Sequence, residues 1–420
     1  MTTWLSIRPF DVLYLRGNSS FGGPGEHAEA LMPPWPSVLS GALRSALLAR
    51  AGVDLGRFTD EKAEHAHPEY AQVLGTPTDP GSFRLAAVTL ARRRNDTVEL
   101  LLPLPADLVV ASHREDDEEK QQSPPCPRKT HDVAESVQRL TVSPDEDRRS
   151  PLVHSGVLPA LPVLAQGEQG KPSTGWWLTQ EGWEDYRAGG TPKPEHLVHS
   201  KKLWDTDFRL GIARSRATFT AAEGKIYTTQ AVAMRAEVGF AVGVDGCPAE
   251  LLRGIDLLRL GGDGRGAQVE LLQGGLAEAT AAANQPFLVY CLTPGLFPCG
   301  WLPPGVTREG GECRLKCDGL QARLACAVVP KPFVVSGWDL AAHRPKPAQR
   351  AVPAGAVYYF DTVKGDPNRY PQMLWELIED QLVQAGGPAT WDTVWKQRQA
   401  EGFNSLLVAS WHTKEGGGNV

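Results

Sequence analysis

Apolar residues two apart dominate this chain, and helical spacing breaks in at only a few places. Trp4 to Leu15 alternates loosely and reads as a first strand. After a Gly/Pro-rich loop over 17–36 comes the clearest helical signal. Pro33, Pro34 and Pro36 hold the backbone extended. Val38, Leu39, Ala42, Leu43, Ala46 and Leu47 then share one face of a helix ending at Arg50. Ser37 is the expected N-cap, its hydroxyl accepting from an orphan N–H of the first turn. Phe83 to Arg93 and Val98 to Leu104 predict a hairpin across Asn95-Asp96-Thr97, and Thr179 to Arg187 a short helix. Phe208 to Phe219 and Lys225 to Val244 predict two long strands. In the second, Val232, Met234, Ala236, Val238, Phe240 and Val242 line one apolar face.

Ala249 to Leu260 reads as an amphipathic helix stopped by Gly261-Gly262, with a strand over Ala267 to Leu272. The alanine-rich, weakly patterned stretch Ala277 to Gln285 marks a domain boundary. Strands follow at Phe287 to Leu292 and within Gly319 to Val335, then a helix at Pro371 to Val383 and a last strand at Phe403 to Trp411. Strands and helices mix without strict alternation, which predicts an α+β protein rather than a doubly wound sheet. The expected division is residues 1–280 and 281–420. The first part carries the long hairpin near 208–244 and a flexible insertion near 111–150. Within that insertion apolar residues vanish over 112–127 and acids cluster, a composition that cannot offset its ordering entropy.

Charge narrows the function classes. A net charge of −6 argues against free-standing, nonspecific nucleic-acid binding, although a local basic groove remains compatible with it. Residues 321–350 are such a locality, with Arg323, Lys331, Arg344, Lys346 and Arg350 against the single acid Asp339. Trp338 among these cations suits either a nucleic acid, gripped by stacking and charge, or a protein partner. The seven cysteines are scattered and odd in number. With no membrane-length apolar run and no signal-peptide pattern at the start, the expectation is a cytoplasmic protein with reduced thiols. Cys313 and Cys317, with Cys299 and Cys326 nearby, lack a second pair at ligand spacing, so no metal or other cofactor is expected.

Chemistry concentrates in Leu260-Gly261-Gly262-Asp263-Gly264-Arg265-Gly266, where four glycines stand in six residues. Such a loop can turn successive N–H groups toward phosphate oxygens, with Arg265 adding bidentate contacts. It can equally be a plain helix-to-strand turn. Arg44 sits two turns into the first helix beside Ser40 and Gly41, where space is clear for a ligand. Arg214, Arg216 and Lys225 border the long hairpin. They suit an RNA backbone or the guarding of a sheet edge equally. His27, in the glycine loop before the helix, is a candidate general acid but has no second acid or base in a partner position.

These pieces carry a resemblance. The Pro-Ser-x-x-x-Gly-Ala-Leu-Arg helix start at 36–44 and the glycine loop together resemble the RAMP proteins of CRISPR systems. Arg8 to Arg16, Phe21 to Glu29, Pro33 to Ser37, Gly224 to Thr229, Leu260 to Arg265, Ser336 to Asp339 and Arg350 to Phe360 look like the family of third subunits of the type III-B (Cmr) CRISPR effector complex. The matches keep the family's order from residue 8 to about 411 but leave 105–200 without a recognisable counterpart. The resemblance implies two ferredoxin-like (RRM-like) domains with insertions. It implies a noncatalytic RNA-binding subunit that caps the 5′ handle of the CRISPR RNA. That subunit would join the large polymerase-like signalling subunit to the first backbone RAMP subunit and meet target RNA indirectly, in antiviral defence. The expected RNA contacts are His27, Ser37, Ser40, Gly41, Arg44, Arg214, Arg216, Gly261, Gly262, Gly264, Arg265, Gly266 and Lys331. The sequence lacks the aromatic pair of the ribonucleoprotein motif, so backbone contacts should outweigh base stacking. Two alternatives stand beside this reading. One is a repeat-cleaving endoribonuclease on the same scaffold with His27 as general acid, and the other is the equivalent subunit of a sister type III complex.

Overall fold

The computed structural model describes residues 2–17, 27–28, 30–59, 68–116, 130–144, 157–164, 172–215, 217–277, 280–339, 343–386 and 390–412. Strand outweighs helix, 43% to 22%, so antiparallel sheets set the architecture of this mixed α/β protein. One sheet has eight strands, in the order 197–199, 176–179, 97–103, 84–94, 238–245, 3–9, 265–271 and 257–260. Its central strand, Val238–Asp245, is buried along nearly its whole length between Thr3–Pro9 and Arg84–Arg94. The other large sheet has six strands, in the order 306–309, 312–317, 320–328, 357–364, 287–291 and 406–410.

Each sheet carries its own core. Leu39, Leu43 and Leu47 of the Pro36–Arg50 helix press on Leu5, Ile7, Phe240 and Val242 of the eight-stranded sheet. Leu374 and Ile378 of the Tyr370–Gln384 helix press on Phe287, Leu324 and Phe360 of the six-stranded one. A third cluster lies between the sheets, where Trp183 and Tyr186 from Gln180–Arg187 meet Leu288, Tyr290 and Tyr359. The Trp183 ring sits 5.0 Å from that of Tyr290.

Polar groups cross the same interface. The fully buried Asp107 carboxylate accepts from Tyr186 Oη at 2.8 Å, Tyr359 Oη at 2.5 Å and Arg139 Nε at 2.9 Å. The Arg139 guanidinium also lies 4.2 Å from the centre of the Tyr186 ring. Taking a carboxylate out of water costs several kcal/mol. Three hydrogen bonds to a charged acceptor, each worth roughly 1.5–3 kcal/mol, are enough to offset that.

Several sequence expectations change. The apolar face expected to run unbroken from Lys225 to Val244 belongs to two strands, Ala221–Met234 and Val238–Asp245. They are separated by a turn in which Glu237 has φ +63°, and Val238–Asp245 is buried on both faces, so the alternation in sequence does not reveal where one strand ends. The expected Ala249 to Leu260 helix stops at Arg253. Leu257–Leu260 is instead a strand whose Leu258 and Leu260 point inward. Part of the expected flexible insertion is ordered strand, since Leu108–Asp116 pairs with Thr130–Arg139 and delivers Arg139 to Asp107. Residues 117–129 and 145–156 lie outside the described residues. Among the described residues no three His, Cys, Asp or Glu side chains gather to hold a metal, and no helix is long and apolar enough to cross a membrane.

Two tests follow from the interior. Asp107→Ala leaves Arg139 buried beside an emptied site and should destabilise the protein by roughly 3–5 kcal/mol, whereas Tyr359→Phe should cost about 1 kcal/mol, both read from urea unfolding. The second test is pH. Burial, ahead of any other cause, raises Tyr186, Tyr290, Tyr358, Tyr359 and Tyr370 above the usual tyrosine range. Burial also pushes Cys247 up to about 12 and raises Cys291 and Cys317. Unfolded thiols ionise from about pH 8.5 and unfolded tyrosines from about pH 10. Above those values the unfolded chain has released protons that the folded chain keeps, so stability falls as pH rises. Arg44, lowered to about 10 by burial against the opposing pull of Glu401, acts in the other direction but alone. The urea midpoint, measured under reducing conditions, should therefore drop steadily from pH 8 to pH 11. A flat midpoint would show that these side chains ionise freely.

Candidate functional site

The glycine-rich segment is a turn between two strands, Leu257–Leu260 and Arg265–Leu271, and not the helix-to-strand connection expected from sequence. Gly261 has φ +71° and Gly264 φ +57°, left-handed values that favour glycine. A Cβ on Gly261 would also stand 2.9 Å from the Tyr14 carbonyl oxygen. The backbone N–H groups are not all free for a ligand. Gly262 N donates to Tyr14 O at 2.8 Å, while the Gly266 carbonyl accepts from Phe10 N at 3.1 Å. The turn therefore acts by gripping residues 10–14 rather than as an open anion cradle.

That grip brings three elements side by side. On its other flank the 10–16 segment pairs with the long hairpin, Leu13 and Val232 exchanging two backbone hydrogen bonds of 2.8 Å. The hairpin is Trp204–Arg214 against Ala221–Met234. His27 and Ala28 add to it as a short third strand, parallel to Thr228–Thr229. Ala30 N donates to Gln230 Oε1 at 3.2 Å and Leu31 N to Leu15 O at 2.9 Å, which ties the chain entering the first helix to the same place.

Tyr14 is the centre of this surface. The Arg265 guanidinium lies 5.4 Å from the centre of its ring, and Arg209 Nη1 donates to its hydroxyl at 3.5 Å. Each arginine also holds a carboxylate, Arg265 to Asp11 at 3.0 Å and Arg209 to Asp207 at 2.9 Å. Those bonds, with Asp207 first and Tyr14 next, raise Arg209 above its ordinary value. The Arg265–Asp11 pair is partly exposed and worth about 1 kcal/mol at most, so an incoming phosphate can displace Asp11 cheaply. Further out, Phe208, Leu210 and Ile212 alternate with Arg209 along the strand and are 66%, 73% and 54% exposed. Near the tip the Arg214 guanidinium lies 5.3 Å from the centre of the exposed Phe219 ring.

Of the residues named from sequence, the structure gathers Gly261, Gly262, Gly264, Arg265 and Gly266 with the His27 backbone and the hairpin that carries Arg214. Arg216 lies outside the described residues. The first helix contributes less than expected. Its N-cap is Trp35 rather than Ser37, a residue with no side-chain oxygen to accept from the first turn, and Pro36 follows at the helix start, where its missing N–H costs nothing. Ser40 is buried and donates to Ala400 O at 3.2 Å. Arg44 turns inward and donates to Pro80 O at 2.9 Å and to Leu74 O. Losing Arg44 is therefore a matter of folding rather than of ligand capture. Gly41 is exposed, and a methyl group added to it would meet nothing within 4 Å. Lys331 is exposed in the connection between Leu320–Val328 and Phe333–Val335. Sequence reasoning missed Tyr14, Arg209 and the exposed stripe. The alternation of Phe208, Leu210 and Ile212 was visible, but the pattern alone does not say that this face meets solvent.

The hairpin carries an exposed apolar stripe, and at its foot two arginines meet around one tyrosine. The chain belongs to the family of CRISPR-associated proteins Cas_Cmr3, whose model matches residues 5–411. Among solved structures, it is similar to a chain of a type III-B Cmr-beta complex bound to cognate target RNA and AMPPnP, with 13% identity over 94% of both chains and a TM-score of 0.47. A chain of a Csm1–Csm4 cassette in complex with pppApA is 11% identical over 87% of each chain, with a TM-score of 0.33. No curated protein matches the chain.

The glycines make separable expectations. Gly261→Ala should lower the melting temperature, since it meets both the left-handed backbone and the Tyr14 carbonyl. Gly41→Ala, at an exposed helix position with open space, should raise stability by about 0.5–1 kcal/mol. Thermal melts of both variants check the pair, and a stabilised Gly261→Ala would show that the turn does not need glycine there.

Proposed function

We propose that this chain is the noncatalytic RNA-binding and assembly subunit of a type III-B CRISPR effector ribonucleoprotein. In this reading it caps the 5′ handle of the CRISPR RNA and bridges the large polymerase-like subunit to the first backbone RAMP subunit. It meets target RNA indirectly and works in the cytoplasm in antiviral defence. Its two halves, 1–280 and 281–420, are each built on a ferredoxin-like plan. The observation that carries the proposal is the row Arg265–Tyr14–Arg209 at the foot of the hairpin in a chain of the Cas_Cmr3 family. Phosphates of an extended strand replace Asp11 and Asp207 on the arginines. Bases then lie along Phe208, Leu210 and Ile212, an exposed apolar stripe with no partner in a lone chain.

The row also sets how the function is tested. Arg265→Ala should weaken capture of handle RNA by roughly 1.5–3 kcal/mol, about tenfold to a hundredfold, and Arg209→Ala should weaken it too. Titrating labelled handle RNA into the full chain at several salt concentrations reads this, and wild-type binding by both variants would remove the assignment. His27→Ala separates binding from catalysis. Its backbone is fixed on the hairpin beside Thr228, and the sequence offers it no partner acid or base. The full chain, with or without Mg²⁺, should leave repeat RNA intact. Site-specific scission that His27→Ala abolishes would make the chain an endoribonuclease instead.

A further inference from the structure

The eight-stranded sheet has a second face, turned away from the Pro36–Arg50 helix, and one corner of it is open. Leu5 and Ile7 point into the helix-side core, so Ser6 and Arg8 follow the other face. Phe10 N donates to Gly266 O at 3.1 Å, which carries the pairing of Thr3–Pro9 with Arg265–Leu271 one residue further. Gly266 lies opposite Arg259 on the next strand, and Gln268 lies opposite both Arg8 and Leu257. Directly opposed residues share a face. The register therefore sets Phe10, Gly266 and Arg259 in one row across three strands, and Arg8, Gln268 and Leu257 in the next. Phe10 is 63% and Leu257 62% exposed, and Gly266 and Arg259 are exposed with them, whereas Leu258 and Leu260 are buried on the helix side.

The glycine seats the ring. A Cβ on Gly266 would stand 3.2 Å from Phe10 Cδ2, so a hydrogen there lets the ring settle onto the strand. The cations of this face differ in how they are held. Arg8 pairs with Glu237 at 2.7 Å, and Arg93 pairs with Glu237 and Glu270. Arg259 forms no ion pair among the described residues. A protein partner would call for a contiguous apolar centre, yet Phe10 and Leu257 stand two strands apart with bare backbone and the Gln268 amide between them. An aromatic ring in one row with an unneutralised arginine suits a single-stranded nucleic acid, the ring taking a base and the arginine a phosphate. Continuity favours the same occupant. Arg265, at the hairpin foot, directly precedes Gly266 in a strand, so the two point to opposite faces. A strand of RNA held at the foot has only one strand end to pass before it reaches Phe10.

We propose that this corner of the sheet is a second RNA contact, in which Phe10 stacks on an unpaired base and Arg259 holds a neighbouring phosphate. This rests on the RNA-binding reading given above but adds a site on the opposite side of the strand that carries Arg265.

The test uses the full chain and fluorescein-labelled oligouridylate and oligoadenylate of roughly twelve nucleotides, followed by anisotropy at several salt concentrations. Phe10→Ala should bind about tenfold more weakly and Phe10→Tyr like the wild type. Phe10→Leu, apolar but without a π face, should recover little of the loss. Arg259→Ala should lower the salt slope by about 0.7, the share of one phosphate on a single strand. Melting temperatures should not move, because both side chains are exposed. Arg265→Ala in the same assay reports on the hairpin foot separately. Wild-type binding by Phe10→Ala and Arg259→Ala alongside weakened Arg265→Ala would overturn the sheet-face site, leave the hairpin reading standing and turn this corner into a protein-facing surface. Full binding by Phe10→Leu would overturn the stacking. Weakened Phe10→Ala and Arg259→Ala beside an unaffected Arg265→Ala would support the sheet face and remove the hairpin foot. Absence of any RNA binding by the wild-type chain would remove both.

Discussion

The structure depends on one buried carboxylate. Asp107 stands between the two large sheets and accepts from a helix tyrosine, a strand tyrosine of the opposite sheet and an arginine delivered by an inserted ribbon. The apolar cluster around Trp183 would hold the sheets together without it, but apolar contacts alone tolerate sliding. Three directional bonds to one carboxylate allow a single register. Tyr290 Oη to Pro103 O at 2.6 Å and Ser405 Oγ to Ala86 O at 2.7 Å repeat that registration further along the interface.

A second polar route joins the halves through the Thr390–Glu401 helix. Ser40 of the first helix donates to Ala400 O, and Gln397 Nε2 donates to Pro77 O at 2.9 Å. The same helix also uses Arg398 to hold the Ser336 carbonyl and Glu401 to hold Lys346. The Pro-rich entry to the first helix thereby serves the second core too, since Trp35 packs among Phe297, Leu296 and Trp395. The helix start that stands out in the sequence works here as a joint between two cores, with Ser40 bonded across it and Arg44 bonded to carbonyls of its own half.

How much of this could be read from the sequence varies with the physics involved. The Pro36–Arg50 helix and the 84–94/97–103 hairpin were legible because local periodicity and turn residues determine them. The long hairpin was legible as strands, but its end at Met234 was not. The alternation runs on unbroken into Val238, and only the positive φ at Glu237 marks the change of sheet. Arg44 and Arg139 illustrate the main blind spot. A helical or loop arginine is by default a surface residue, and its burial is decided by carbonyls and carboxylates dozens of positions away. The glycine turn was found as a feature and misread in its role. The residue that consumes its N–H, Tyr14, is almost 250 positions earlier in the chain. Arg265 was identified from sequence, whereas its companion Arg209 gave no signal apart from its place in a strand.

The exposed stripe on the hairpin has a consequence for the life of the chain before it meets any ligand. Phe208, Leu210, Ile212 and Phe219 present a row of large apolar groups on a long two-stranded edge, which is the kind of surface that seeds self-association. An overall negative charge keeps such molecules apart only at a distance, and screening by physiological salt confines that protection to about 8 Å. A copy made in excess of what covers the stripe is therefore prone to aggregation and to the proteases that police it. Under the proposed function the demand falls on synthesis: a chain made in step with the RNA and subunits that would cover this face avoids leaving one uncovered strand face in solution.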